Sequence, residues 1–185
     1  MSNFLARSGW RQAAAALVLA SASAGAQADQ FGLQLGAGFA DHGIDKGDLA
    51  AVWDPHVTWW DTGTWHFALL GEFHVAQWHT GQGNINSNLT ELGVNPVVRL
   101  VKNGGDVRPY FEIGAGLRGL THAVISTNYS LSTAFQFTEF VGVGLAFGQR
   151  QQYQVGYRFQ HVSNGGIKEP NPGVDFHEIY AQYNF

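Results

Sequence analysis

The chain alternates apolar and polar side chains in eight separate stretches, and a period of two belongs to strands with two unlike faces. The first is "FGLQLGAGF", with Phe31, Leu33, Leu35, Ala37 and Phe39 on one face. A second, around "AVWDPHVTWW", offers Trp53, Val57 and Trp59. The third puts Trp65, Phe67, Leu69, Phe73 and Val75 opposite His66, Glu72 and His74. The fourth and fifth set Leu92–Leu100 and Phe111–Leu117 against Glu91, Asn95, Arg99, Glu112 and Arg118. The sixth carries Phe137, Val141, Val143, Leu145 and Phe147; the seventh is "YQVGYRFQHVS"; the eighth, "HEIYAQYNF", closes on Ile179, Ala181, Tyr183 and Phe185. Each apolar face is about five side chains long, matching the 9–11 residues with which a tilted strand crosses a bilayer.

Such two-faced strands also build soluble sandwiches, where the apolar face is the core. Three features point to a membrane instead. Arg7 and Arg11 precede the apolar run Ala13–Ala22, and Ala26-Gln27-Ala28 follows, which is the layout of a secretory signal peptide. Residues 1–28 are therefore expected to be removed, leaving one domain over 29–185. Aromatic residues gather towards segment ends like an interfacial girdle, and the last strand ends on Phe185. The expected fold is all-β: an eight-stranded antiparallel transmembrane β-barrel of the bacterial outer membrane. Cys is absent, so no disulfide staples the fold. The net charge of −4 becomes more negative once Arg7 and Arg11 leave, which argues against a nucleic-acid partner.

Connection lengths set the orientation. "DTGT", "KNGGDVR" and "GQRQ" read as short periplasmic turns after strands two, four and six. "ADHGIDKGDLA", "HTGQGNINSN", "AVISTNYSLSTA" and "NGGIKEPNPGV" read as longer outer loops. A barrel of eight strands is filled by its own side chains, so a channel is not expected. Glu72, Glu91, Arg99, Glu112, Arg118, Arg158 and Glu178 share the inward parity and are expected to form an ion-pair network in the lumen. Pro96 inside a strand and Glu139 on the apolar parity break the pattern. His66, Glu72 and His74 on one inward face read as interior polar filling rather than a zinc site, and no metal or cofactor is expected.

The seventh strand holds the chemistry. Its outward row runs Tyr153, Val155, Tyr157, Phe159 and then His161 and Ser163. Two residues apart on one face, His161 and Ser163 lie roughly 7 Å apart at Cα. A serine hydroxyl becomes a nucleophile when a base takes its proton, and a third group orients that base. A hairpin closed by residues 164–174 makes Ser163 level with Asp175 and His161 level with His177, with Asp175 diagonal to His161. Glu178 has the wrong parity, and Glu169 in the loop is a second candidate for the acid. A dyad aimed at the outer leaflet would meet acyl esters of lipid. The alternatives are a structural or adhesive barrel without enzymatic activity, and another outer-membrane lipid enzyme such as a phospholipase or acyltransferase.

"HVSNGGIKEPNPGVD", His161 to Asp175, resembles the active-site hairpin of the outer-membrane lipid A 3-O-deacylases, which are eight-stranded barrels. The family pattern is His-x-Ser-Asn at a strand end, a loop carrying Pro-Asn, and an acid twelve residues after the serine. It falls on His161, Ser163, Asn164, Pro170-Asn171 and Asp175. The resemblance implies hydrolysis of the ester-linked 3-hydroxyacyl chain at position 3 of lipid A by a Ser163–His161–Asp175 triad, within a catalytic hairpin over 157–181. It implies oxyanion or loop support from Asn164, Gly166 and Asn171, with Gly165 beside them. The implied partners are lipid A, the outer-membrane bilayer and the barrel assembly machinery; a homodimer is compatible with it. One departure stands out: a family member has glutamate where this chain has Asp175. Aspartate is one methylene shorter, so its bond to His161 asks the strands to sit slightly closer.

Overall fold

The computed structural model describes residues 31–80, 88–127 and 129–185. The expected signal peptide and most of the loop after the third strand lie outside the described residues. Eight long strands form the wall: β1 (Phe31–Ala40), β2 (Ile44–Trp53), β3 (Trp65–Thr80), β4 (Leu89–Lys102), β5 (Val107–Leu120), β6 (Phe135–Phe147), β7 (Tyr153–Ser163) and β8 (Val174–Asn184). Each pairs antiparallel with the next. The barrel closes where β1 meets β8, from Gly32 against Asn184 to Ala40 against Phe176. Among the described residues closure leaves the barrel wall without an unpaired edge strand, which is what a wall bathed in lipid requires.

The alternation has the sense of a membrane barrel. Leu35, Phe73, Leu92, Ile113, Val141 and Ile179 all point outward and are exposed. The buried side instead holds the charges. Arg158 bonds Glu72 through Nη2 at 2.7 Å and Glu112 through Nε at 2.6 Å; Arg99 reaches the other Glu112 oxygen at 2.7 Å. Arg118 pairs with Glu91 at 2.5 Å and Lys46 with Glu178 at 2.6 Å. His74 lies between Asp48 and Glu72, each at 3.0 Å. The expected lumenal network is thus present, and it includes Lys46 and Asp48. Removing one partner from such a buried pair strands the other charge, so these pairs constrain the lumen as sets.

The end of the lumen that carries the β5–β6 and β7–β8 connections is plugged by an apolar cluster. Ile44, Trp78, Leu89, Val162 and Phe176 from the wall meet Ile125 and Leu131 from the β5–β6 connection, which folds across the barrel mouth. At the other end Phe147, Tyr153, Tyr183 and Phe185 form a chain of ring contacts at 5.8, 5.4 and 5.5 Å, an aromatic belt.

Three expectations need correction or qualification. The stretch read as the first outer loop is mostly β2, and only Asp41–Gly43 connects it to β1. The connection from β2 to β3 spans residues 54–64 and contains a two-residue strand, Thr58–Trp59, paired with β3. The length contrast between the two barrel ends therefore fails for the first two connections and holds for those after β4, β5, β6 and β7. The cause is the inward row of β2, where Lys46 and Asp48 alternate with Ile44, Ala50 and Val52, so the stretch lacks a clean apolar face. Pro96 does sit within β4. Pairing with β5 runs from Glu91 to Val94 and resumes at Val97, so the missing N–H falls in a gap of the ladder.

Candidate active site

β7 and β8 carry the site at the plugged end of the barrel. Val162 and Asn164 are buried while His161 and Ser163 are only partly covered, so the alternation puts the pair outside. The register differs from the expected one by two residues. His161 is directly opposite Asp175, and Phe159 is opposite His177. Pairing ends at Val162 with Val174, so residues 164–173 form the connection. A shift of two keeps every side chain on its face, which is why the outward parity of Asp175 holds although its height does not.

The level placement settles the methylene question. Directly opposed residues have Cβ atoms about 4.5–5.5 Å apart, closer than diagonal neighbours. The short aspartate therefore reaches, and His161 Nδ1 lies 2.5 Å from Asp175 Oδ1. With Nδ1–H donating to the carboxylate, Nε2 is the nitrogen available to take a proton. Glu169 is engaged elsewhere: its Oε2 accepts from the Asn171 N–H at 3.0 Å. His161, Ser163, Gly165 and Glu139 line one groove of about 620 Å³ over the outer wall, floored by Pro96, Ala115 and Gly116.

The loop beyond Ser163 is built around Asn164, which is fully buried. Its Nδ2 donates to the carbonyls of Leu131 at 2.9 Å and Lys168 at 2.7 Å, and its own N–H donates to Asn171 Oδ1 at 3.0 Å. Both donors of Asn164 are therefore occupied in shaping the loop. Gly165 and Gly166 follow with φ of 65° and 80°, a left-handed pair that non-glycine residues rarely adopt. Successive backbone N–H groups in such a turn form an anion-binding concavity. Among the described residues neither of these two N–H groups has a hydrogen-bond partner.

Sequence reasoning missed the groups that hold the imidazole. Gly173 has a φ of 69°, and a Cβ built there would lie 2.6 Å from His161 Cε1. The glycine thus lets the backbone lie against the ring. Its carbonyl accepts the Tyr129 hydroxyl, and Ser132 Oγ donates to the Pro170 carbonyl at 2.7 Å. Burial, with the carboxylates of Asp175 and Asp41, pushes the Tyr129 phenol above its usual value, so the hydroxyl stays a donor. The β5–β6 connection thereby buttresses the site loop at Leu131, Ser132 and Tyr129. A glycine two residues before an acid was the one available signal; the contacts of Tyr129 and Ser132 bridge 44 and 38 residues.

Gly173→Ala is expected to leave the barrel folded, judged by heat-modifiable gel mobility, while slowing turnover on the order of 10²-fold. A displacement of about 1 Å in a catalytic group has that effect. Wild-type rates in the variant would show that the ring tolerates the shift.

A family model described as Lipid A 3-O-deacylase (PagL) matches residues 45–184. The chain belongs to the lipid A 3-O-deacylase family. It is 29% identical over 175 residues to the lipid A deacylase PagL of Bordetella bronchiseptica, covering 91% of this chain and 92% of that protein. It is 26% identical over 132 residues to the lipid A deacylase PagL of Pseudomonas aeruginosa, covering 71% and 73%. The crystal structure of the outer membrane enzyme PagL superposes with a TM-score of 0.76 at 23% identity, covering 83% of this chain and 99% of that one. This family member is an ester hydrolase and an outer-membrane β-barrel.

Proposed function

We propose that the chain removes the ester-linked 3-hydroxyacyl group at position 3 of lipid A from the outer leaflet, after export by the signal peptide over residues 1–28. The observation that carries the mechanism is the 2.5 Å contact between His161 Nδ1 and Asp175 Oδ1, on the same outward face as Ser163. Ser163 Oγ attacks the ester carbonyl carbon, and its proton passes to His161 Nε2. Asp175 fixes the tautomer and stabilises the imidazolium that forms. The backbone N–H groups of Gly165 and Gly166 meet the developing oxyanion, with Asn164 and Asn171 holding their turn. His161 returns the proton to the sugar hydroxyl as the carbon–oxygen bond breaks, leaving an acyl-enzyme. Water, deprotonated by His161, then attacks the acyl carbon; the bond to Ser163 Oγ breaks, His161 returns the proton to Oγ, and a 3-hydroxy fatty acid leaves. Each step is proton transfer and acyl transfer, with no redox change.

The position of the site supports the outer-leaflet placement. His161 and Ser163 stand at the end of an apolar outer wall, where an acyl chain can stay in the membrane while its ester bond meets the dyad. The test is mass spectrometry of lipid A from cells with and without the chain, at verified outer-membrane levels. Loss of one 3-hydroxyacyl group from position 3 is expected. Unchanged lipid A beside hydrolysed phospholipid would replace this reading with that of a phospholipase. Unchanged lipid of both kinds would leave a non-enzymatic barrel.

A further inference from the structure

Glu139 is a carboxylate on the lipid-facing parity of β6, where an apolar residue is the rule and a charge is destabilising. Its neighbours in the sheet are His161 on β7 and Ala115 on β5, both directly opposite. His161 is thus flanked on its two sides by carboxylates, Asp175 from β8 and Glu139 from β6. Asp175 takes the imidazole Nδ1; the Glu139 carboxylate has no hydrogen-bond or ion-pair partner among the described residues. It lines the groove that holds Ser163, and also the adjoining groove that runs over Val98, Ile113, Val141 and Phe159. The two grooves meet at Glu139 and His161, over the small side chain of Ala115.

We propose that Glu139 is a specificity-determining residue that accepts a hydrogen bond from the hydroxyl at carbon 3 of the scissile acyl chain. This rests on the deacylase reading. With the ester carbonyl at Ser163, a chain entering the apolar groove passes the Glu139–His161 pair, one step of the outward row further in. Its first few carbons then lie beside Glu139, the one carboxylate among the described residues lining that groove. A carboxylate offers acceptors alone, so it selects a donor and repels phosphate. A hydroxyl at carbon 3 is a donor at that height, and an unsubstituted chain would leave the carboxylate facing methylenes with its hydration stripped away.

The experiment compares two synthetic acylated glucosamine esters that differ only in the hydroxyl at carbon 3 of the chain, with the purified full barrel in detergent. Wild type is expected to prefer the hydroxylated ester by roughly tenfold in kcat/KM, the effect of one hydrogen bond to a charged group. Glu139→Ala should bring the ratio close to one, and Glu139→Gln, which keeps an acceptor oxygen, should restore part of it. A ratio unchanged in Glu139→Ala, or an equal loss on both esters, overturns the inference alone. Hydrolysis by Ser163→Ala at the wild-type rate would overturn the deacylase mechanism and this inference together.

Discussion

Ser163→Ala is expected to lower lipid A deacylation by roughly 10³-fold or more while the barrel still assembles, because the acyl-enzyme cannot form without the hydroxyl. The side chain is small, half-buried and outside the lumenal network, so its loss removes chemistry rather than packing. His161→Ala should give a similar loss, and the double variant little more than either. Nucleophile and base act as one unit, so their effects do not add. The measurement is single-turnover hydrolysis of lipid A micelles, with heat-modifiable mobility as the control for folding. A Ser163→Ala barrel that deacylates at even a tenth of the wild-type rate would sink the covalent mechanism and leave direct attack of water assisted by His161.

Asp175→Asn should be the second most damaging change, lowering kcat on the order of 10²–10⁴-fold. Asparagine is nearly isosteric, so the strand pairing of His161 with position 175 is kept. Its amide can present a donor where the carboxylate accepted, which favours the wrong tautomer of the imidazole, and it offers no charge to balance the imidazolium. The exposure of the pair argues for the lower part of that range, since water can stand in for a lost acceptor: the His161 and Asp175 side chains are 37% and 58% exposed. Asp175→Glu tests the register directly. Because the two positions are level, the shorter side chain already reaches, and the extra methylene must fold back; activity should survive at a reduced kcat. If Asp175→Asn were as active as wild type while Glu169→Gln was not, the loop carboxylate would replace Asp175 as the orienting acid.

Much of the barrel was legible because alternation is local. Parity follows from counting along one strand, and it placed Glu72, Glu112, Arg118 and Arg158 inside and His161, Ser163 and Asp175 outside. β2 was misjudged where parity and hydrophobicity disagree: Lys46 and Asp48 are inward because the lumen supplies Glu178 and His74 as partners. No local pattern announces partners that come from β8 and β3. The candidate motif was likewise readable as His161-x-Ser163 with an acid downstream, and the three residues do lie on adjoining strands of one hairpin.

What the sequence by itself determined, then, is the faces of the strands other than β2, the membrane sense of the wall and the shared outward parity of His161, Ser163 and Asp175. What only the tertiary structure decided is height and company. Hairpin register depends on how the ten residues of the loop pack, and their packing depends on Leu131, Ser132 and Tyr129 from a connection more than thirty residues away. That register set Asp175 level with His161. Neighbourhood across the sheet put Glu139 opposite His161 on the other strand, and the hairpin put Gly173 against the imidazole near Cε1. A period of two specifies direction and leaves translation along the strand undetermined, so contacts between strands are fixed by the loops and the plug that join them.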